Sequence, residues 1–265
     1  MQVLVEEIAA AISINQINYA VMMITPDDID DFIVGFLFNE QIIQHNYDIQ
    51  DIETSENALG LEINVTLANR CLSQFKHRQR QLKGATGCGV CGASALEYAF
   101  PKLNPLKQHN PYTIQNPQHL KQSLAHYQLK GRQTGAIHGA FWLDQNNQIL
   151  ACREDIGRHN ALDKLIGFIV QKPQSRSKSS AELSQNLAQT ALLITSRCSA
   201  ELIQKAVCIG IPTLISLASP SQLAVKLAQQ YRLNLVHIPR QDQPIVYPAT
   251  TQTNTVQNNL LTNAE

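Results

Sequence analysis

Three short apolar runs in the last third of this 265-residue chain constrain its fold more than any other feature. These runs, Ala191–Thr195, Pro212–Leu217 and Leu233–Ile238, are separated by Ser199–Ile209 and Ser221–Tyr231, which have helical periodicity. Short apolar strands that alternate with helices of about ten residues are typical of a parallel sheet covered on both faces. The pattern therefore predicts an α/β fold with a ligand-binding edge at the carboxyl ends of these strands.

The N-terminal part mixes helical and strand signals. Thr25 and Pro26 precede an apolar stripe over Ile29–Leu37, which predicts a helix that Thr25 caps and Pro26 opens. Apolar residues alternate with polar ones over Leu61–Leu67, which predicts a half-buried strand. A further helix is expected from Pro117, capped by Asn116 and stopped by Gly131.

Charge and hydropathy limit the classes of partner. Lys+Arg and Asp+Glu both number 21, so no net basic charge attracts nucleic acid or membrane, and any anion site must be local. The first 20 residues lack a basic segment, and no apolar run approaches the roughly 18 residues of a membrane span. We therefore expect a cytoplasmic protein, in which six reduced cysteines form no disulfide framework.

Two cysteines stand close together in the run LKGATGCGVCGASALEY, residues 82–98. A Cys-x-x-Cys pair serves zinc binding, disulfide exchange or sulfur transfer. No second pair, no His-x3–5-His and no His-x-Glu accompanies Cys88 and Cys91, which weakens the case for a zinc finger or a zinc deaminase. Four glycines in this run favour a mobile loop, which suits a thiol that collects and delivers a group, although a plain tight turn is the simpler alternative.

Cationic side chains recur where ligands of an α/β sheet bind. Arg158 opens a helix inside CREDIGRHNALDKLIG, residues 152–167, where it can chelate phosphate or take part in a salt-bridged helix start. Arg197 and Arg240 follow the first and third apolar runs, and serines follow the second. His138 lies in the glycine-containing stretch GRQTGAIHGAFW, which permits a ligand to approach closely, although a purely structural role for a lone histidine is the alternative.

Six motifs resemble, in order and spacing, those of the FdhD family of formate dehydrogenase accessory sulfurtransferases. The similarity runs from about residue 6 to 248. It is carried by TPDDIDDFIVGFLFNEQII, GCGVCG, TGAIH, REDIGRHNALDKLIG, SRCSAELIQKAVCIGIPTL and a final R-x5-VY.

The resemblance implies that the protein is a sulfurtransferase. A cysteine desulfurase would load persulfide sulfur on the catalytic pair Cys88 and Cys91, with Cys88 as the carrier. The sulfur would go to the molybdenum bis(molybdopterin guanine dinucleotide) cofactor of formate dehydrogenase, and no metal of the protein's own is expected. The residues expected to contact the cofactor are His138, Arg158, Arg197, His237, Ile238, Pro239, Arg240, Gln241 and Asp242. The alternatives are a non-catalytic chaperone that binds the molybdenum cofactor and a zinc-dependent deaminase relative.

The resemblance also implies an architecture. It predicts an α/β fold with a cytidine-deaminase-like three-layer core and a mixed/parallel sheet over 81–247, a smaller N-terminal α+β subdomain over 1–80, and a homodimer. The polar tail 248–265 is expected to be disordered. Two departures from the family pattern, Ala136 and Ser196 where glycine is usual, remove freedom for positive φ beside the expected ligand.

Overall fold

A computed structural model describes residues 3–84, 103–107, 109–172, 187–241 and 243–249. The strands are β1 Ile8–Ile14, β2 Ile17–Ile24, β3 Ile49–Asn57, β4 Gly60–Leu67, β5 His138–Leu143, β6 Ile149–Asp155, β7 Ala191–Arg197, β8 Thr213–Ala218, β9 Asn234–His237 and β10 Ile245–Tyr247. The helices with described bounds are α1 Ile29–Asn39, α2 Leu72–Gly84, α3 Pro117–Tyr127, α4 Leu129–Thr134, α5 Arg158–Gln171, α6 Ala200–Ile209 and α7 Gln222–Gln230. None of these helices is long and apolar enough to cross a membrane.

The N-terminal strands form a four-stranded sheet in the order β2-β1-β4-β3. The β1–β4 pair is parallel, and the other two pairs are antiparallel. The predicted alternation in β4 is confirmed, since its apolar residues are buried and Glu62 between them is exposed. One face of the sheet therefore packs on α1 and its core, and the other face meets solvent.

The C-terminal strands form a six-stranded mixed sheet in the order β10-β9-β8-β7-β5-β6. Strands β7, β8 and β9 are parallel, so the predicted β-α-β-α-β arrangement is confirmed. Apolar side chains of α5, α6 and α7 cover one face, and Leu120 and Leu124 of α3 cover the other. The fold is thus a mixed α/β fold with three layers around this sheet, and the narrower cytidine-deaminase-like class stays a prediction.

Helices α1 and α5 bring the two sheets together. Gly35 and Gly167 lie at their crossing, where a Cβ on Gly35 would overlap the backbone of Asp163, and one on Gly167 would overlap the backbone of Asp31. The two helix backbones therefore touch, which only glycine at both positions permits. The predicted boundaries at residues 80 and 247 are not tested by this packing and stay predictions, and residues 250–265 lie outside the described ranges.

Two of the predicted helix ends are wrong. Helix α1 begins at Ile29, and Thr25 does not cap it. Thr25 is drawn instead into a distant contact, because its N–H donates to Asp155 at 3.0 Å and its hydroxyl accepts from the N–H of Ile156 at 3.1 Å. Asn116 caps α3 as predicted, but α3 ends at Tyr127, and a separate helix, α4, carries the chain past Gly131.

Candidate functional site

The carboxyl ends of β7, β8 and β9 form one edge of the larger sheet. Strand β5 is antiparallel to β7, so it begins at this edge, and β6 ends there. Consequently His138 at the start of β5, Arg158 at the start of α5, Arg197 at the end of β7 and His237 at the end of β9 lie along the same edge. We call this the strand-end edge, and it brings together residues that the sequence places 99 positions apart.

His138 and Arg158 form the middle of the strand-end edge. Burial lowers the pKa of His138, and the positive charge of Arg158 lowers it further, although Asp155 opposes both. His138 is therefore neutral near pH 7. Arg158 and Arg197 are exposed, and no side chain of the described part of the chain pairs with either. Their guanidinium groups are thus available to an anion.

A lysine of α3 holds the segment after β9 in place by hydrogen bonds. Lys121 donates to the carbonyl oxygen of Pro239 and, at 3.2 Å, to that of Arg240. Burial and the charge of Lys121 lower the pKa of His237, which is 8 % exposed. Ile238 packs in the core, so its side chain does not line a surface site. The side chains of Arg240 and Gln241 are exposed, and Asp242 lies outside the described residues.

Most charged residues of the motif over 152–167 hold the fold together. Asp155 and Lys164 are both fully buried and form an ion pair of 2.8 Å. The same carboxylate accepts from the N–H of Gly157 at 2.8 Å and from Asn160 at 3.0 Å, and Lys164 donates to the carbonyl oxygen of Thr25 at 2.9 Å. The salt-bridged interpretation of this motif is therefore correct for its interior.

The first part of the motif is also structural. Arg153 pairs with Asp31 at 2.6 Å and lies over the ring of Phe168 at 4.3 Å. Glu154 accepts the N–H groups of Lys130 and Gly131 in the first turn of α4, at 2.9 and 2.8 Å. Arg158 lies at the strand-end edge, and His159 and Asp163 of this motif line the cleft beside it.

His159 was not among the predicted site residues, but its imidazole ring contacts two polar side chains near the strand-end edge. Its Nε2 lies 2.6 Å from Glu201 and 3.4 Å from the hydroxyl of Ser199. Burial lowers the pKa of His159 to about 4, a shift that the carboxylate of Glu201 opposes and that Arg158 and other cations reinforce. The neutral ring therefore donates its N–H to Glu201. The only sequence signal was its place beside Arg158 at a helix start.

A cleft of about 290 Å³ continues from His159 toward the N-terminal sheet. Ion pairs lie on both sides of it: Arg78 with Glu40 at 2.9 Å, and Lys205 with Asp163 at 2.5 Å. Apart from these residues, the cleft is lined by Met22, Phe36, Asn39, Glu201, Gln204 and Cys208. Arg78 lies on α2, the helix that leads into the segment with the two paired cysteines.

The four cysteines that the structure describes are poor nucleophiles. Burial raises the pKa of Cys152 and of Cys198 to about 12, and it also raises the pKa of Cys71 and Cys208. A thiol with a raised pKa carries little thiolate near neutrality, and the thiolate is the reactive form. Cys88 and Cys91, the predicted catalytic pair, lie outside the described residues.

The two departures from the family pattern require no unusual backbone. Neither Ala136 nor Ser196 has a positive φ, so the loss of glycine introduces no conformational strain at these positions. Ser196 is 5 % exposed and donates its hydroxyl to the carbonyl oxygen of Arg197 at 3.2 Å. That hydroxyl is therefore engaged within the protein.

Comparisons with known proteins agree on one family. The model of the FdhD/NarQ family matches residues 5–254. A relative from Bordetella bronchiseptica named sulfur carrier protein FdhD is 33 % identical over 242 residues, which is 91 % of this chain and 84 % of the relative. A protein of the same name from Cupriavidus necator is 34 % identical over 242 residues, 91 % of this chain and 80 % of the relative.

A solved structure shows a similar fold. It is a crystal structure of a protein from Desulfotalea psychrophila described as a formate dehydrogenase accessory protein. The TM-score is 0.65 at 24 % sequence identity, and the match covers 93 % of this chain and 88 % of the other. At this identity the comparison concerns the fold alone.

Proposed function

The chain belongs to the FdhD/NarQ family, and from this premise we propose that it is a sulfur carrier that serves formate dehydrogenase. It takes sulfur from a cysteine desulfurase as a persulfide on Cys88 and gives it to the molybdenum bis(molybdopterin guanine dinucleotide) cofactor. A homodimer in the cytoplasm remains part of this proposal.

One observation carries the proposal. The chain keeps a glycine-flanked Cys-x-x-Cys pair and aligns over nine-tenths of its length with proteins named sulfur carriers. The burial of Cys71, Cys152, Cys198 and Cys208 adds support, because sulfur transfer requires a thiolate and burial disfavours one in each of these residues.

The loading step is an exchange between two sulfur atoms. The thiolate of Cys88 attacks the outer sulfur of the desulfurase persulfide, the donor's sulfur–sulfur bond breaks, and the donor cysteine leaves as a thiolate. A new sulfur–sulfur bond then joins Cys88 to the transferred sulfur, and the thiol proton of Cys88 has gone to solvent. No net oxidant is required.

The delivery step uses the second cysteine. The thiolate of Cys91 attacks the sulfur of Cys88, which forms a Cys88–Cys91 disulfide and releases hydrosulfide to the cofactor's molybdenum. Two thiols of a cellular reductant then reduce the disulfide and are themselves oxidised to a disulfide.

The strand-end edge is the proposed seat of the cofactor. Its dinucleotide phosphates would lie against Arg158, Arg197 and the exposed part of segment 237–242, because these guanidinium groups are exposed and the carboxyl ends of parallel strands favour such ligands. The neutral ring of His138 between them can donate or accept a hydrogen bond without adding charge.

The cofactor seat can be tested with guanosine diphosphate as the probe. Arg158→Ala and Arg197→Ala should each weaken its binding about tenfold, since a hydrogen bond to a charged group contributes about 1.5–3 kcal/mol. Lys226→Ala removes an exposed cation on α7 and should leave the affinity unchanged. Equal affinities for all four proteins, measured by calorimetry, would exclude this seat.

Activation of formate dehydrogenase separates a carrier from a chaperone. The Cys88→Ala/Cys91→Ala double variant should fail to activate an enzyme matured without the wild-type protein, whereas Cys208→Ser, a change at a half-buried thiol whose pKa is raised, should activate it normally. Normal activation by the double variant would favour the non-catalytic chaperone. Stoichiometric zinc that is lost on Cys88→Ala would favour the deaminase relative instead.

A further inference from the structure

The zero net charge of the chain conceals a strong polarity along the sequence. Asp and Glu occupy 12 of the first 69 positions, and Lys and Arg occupy none of them. All 21 Lys and Arg residues follow from Arg70 onward, together with nine acidic residues. Such an asymmetry along one chain affects how the protein meets charged partners, because the summed electric field of the protein orients an approaching charged molecule.

Helix α2 lies where the basic character begins. No acidic residue occurs between Glu62 and Glu97, whereas α2 alone contains two lysines and two arginines. Phe75 anchors the helix, since it is 1 % exposed and its ring lies 5.9 Å from that of Tyr19. The next two residues of this turn, Lys76 and His77, are exposed.

The cationic side chains of α2 differ in whether they form an ion pair. Arg78 is held by Glu40 at 2.9 Å and is therefore part of the cleft wall. Within the ranges that the structure describes, neither Lys76 nor His77 has a hydrogen-bond or ion-pair partner. An exposed lysine that is not neutralised locally contributes its full charge to the field met by a partner.

The solvent face of the N-terminal sheet has the opposite sign. Asp51, Glu53 and Glu62 are exposed on this face of β3 and β4, and no Lys or Arg belongs to this sheet. This face repels an acidic partner that α2 attracts. The two surfaces together therefore select both the partner's charge and its orientation.

We propose that helix α2 is the docking surface for the protein that hands sulfur to Cys88, and that this protein meets it with an acidic surface. The inference rests on the proposed carrier function. Four peptide units join Gly84, the last residue of α2, to Cys88, and such a chain spans at most about 14 Å. The Cα of Cys88 therefore lies within about 14 Å of the end of α2, so a donor that reaches Cys88 comes close to that end of the helix.

The size of a protein interface agrees with this placement. Lys76 precedes Gly84 by eight residues, which is about 12 Å along a helix. An interface of ordinary size covers about 800 Å² on each partner, so one patch can include Lys76 and still bring the donor's sulfur to the end of the helix. Steering by complementary charge acts mainly on the association rate.

The test compares two exposed lysines on helices, Lys76 on α2 and Lys226 on α7. Lys76→Glu should lower the second-order rate of sulfur transfer from a cysteine desulfurase about tenfold at low salt, and the deficit should shrink at high salt. Lys226→Glu makes the same change in net charge and should leave the rate within about twofold of wild type. Both variants should take sulfur from a small-molecule persulfide at the wild-type rate.

The outcomes separate this inference from the carrier function. Equal desulfurase rates for Lys76→Glu and Lys226→Glu, with normal loading from the small persulfide, would overturn the docking surface and leave the carrier intact. Failure of the wild type to load sulfur from either donor would instead reject the carrier function. Binding of anionic vesicles that Lys76→Glu abolishes, with an unchanged desulfurase rate, would assign α2 to a membrane surface and overturn the proposal.

Discussion

Asp155 and Lys164 show how single residues join the two sheets of this protein. Both side chains are fully buried, and their 2.8 Å ion pair is completed by hydrogen bonds with the backbone of Thr25 and Gly157. Burying two charges is unfavourable unless such bonds satisfy them, and here they do. The pair therefore fixes the connection after β2 against the start of α5, next to Arg158.

Asp155→Asn should destabilise the protein by about 3–5 kcal/mol, because it leaves the buried ammonium of Lys164 without its counter-charge. Urea unfolding followed by circular dichroism measures this loss. The Asp155→Asn/Lys164→Met double variant should recover part of it, since neither charge then remains. A double variant less stable than Asp155→Asn would contradict this account.

The environment of His159 predicts a dependence of stability on pH. Its pKa of about 4 in the folded state lies below the value of about 6.5 in an unfolded chain, so the unfolded state binds the proton more readily. The free energy of unfolding should therefore fall as the pH drops from about 6.5 to about 4. The groups that act on this ring are Glu201, Lys205, Arg158 and His138.

His159→Gln isolates this contribution. The variant should lose less stability than wild type over the same interval, by about 3 kcal/mol in total, because glutamine takes up no proton. Unfolding curves at several pH values provide the measurement. Parallel pH profiles for the two proteins would show that His159 is protonated equally in the folded and unfolded states.

The crossing of α1 and α5 is the contact between secondary-structure elements that tolerates substitution least. Because the backbones touch at Gly35 and Gly167, a methyl group at either position must push the helices apart. Overpacking of this kind typically destabilises a protein by about 1–3 kcal/mol and more where backbone atoms collide.

Gly167→Ala should lower the free energy of unfolding by at least about 3 kcal/mol. Gly135→Ala is a suitable control, because an added Cβ there meets no atom within 4 Å and only the positive φ of 65° disfavours alanine. That control should cost about 1 kcal/mol. If Gly167→Ala were as mild as Gly135→Ala, the close approach of the two helices would be refuted.

Elements with local signals were predictable, and those fixed by distant partners were not. The strands and helices of 191–238 follow from short apolar runs and caps, which neighbouring residues determine. The sequence predicts Thr25 as a helix cap. In the structure, its N–H and its hydroxyl instead form hydrogen bonds with Asp155 and Ile156, about 130 positions away. Only the folded chain brings those partners together.

The candidate site shows the same division. The parallel pattern brings Arg197 and His237 to one edge, whereas Arg158 reaches that edge through the antiparallel pairing of β5 with β6 and β7. The sequence could not separate Arg158 from its structural neighbours Arg153 and Asp155, because burial and partners distinguish them. The contact of His159 with Glu201 depends on the packing of α5 beside α6, which no spacing reveals.

The whole molecule combines a thiol segment, a cationic edge and a polarised surface. The segment with Cys88 and Cys91 follows α2, and the strand-end edge lies at the ends of β7 and β9. The cleft with His159 is lined by residues of both α2 and α5. This arrangement suits a protein that receives a group at one surface and passes it to a bound cofactor. Cys88 is the residue on which that account depends.

Intact mass after incubation with a cysteine desulfurase and cysteine tests it most directly. The wild-type protein should gain the mass of one sulfur atom, which a reducing thiol removes, and Cys208→Ser should gain it equally. Cys88→Ala should gain none, because the proposal gives Cys91 the resolving role and burial disfavours the thiolate of the four described cysteines. A Cys88→Ala protein that acquires one labile sulfur as readily as wild type would contradict the assignment of the carrier.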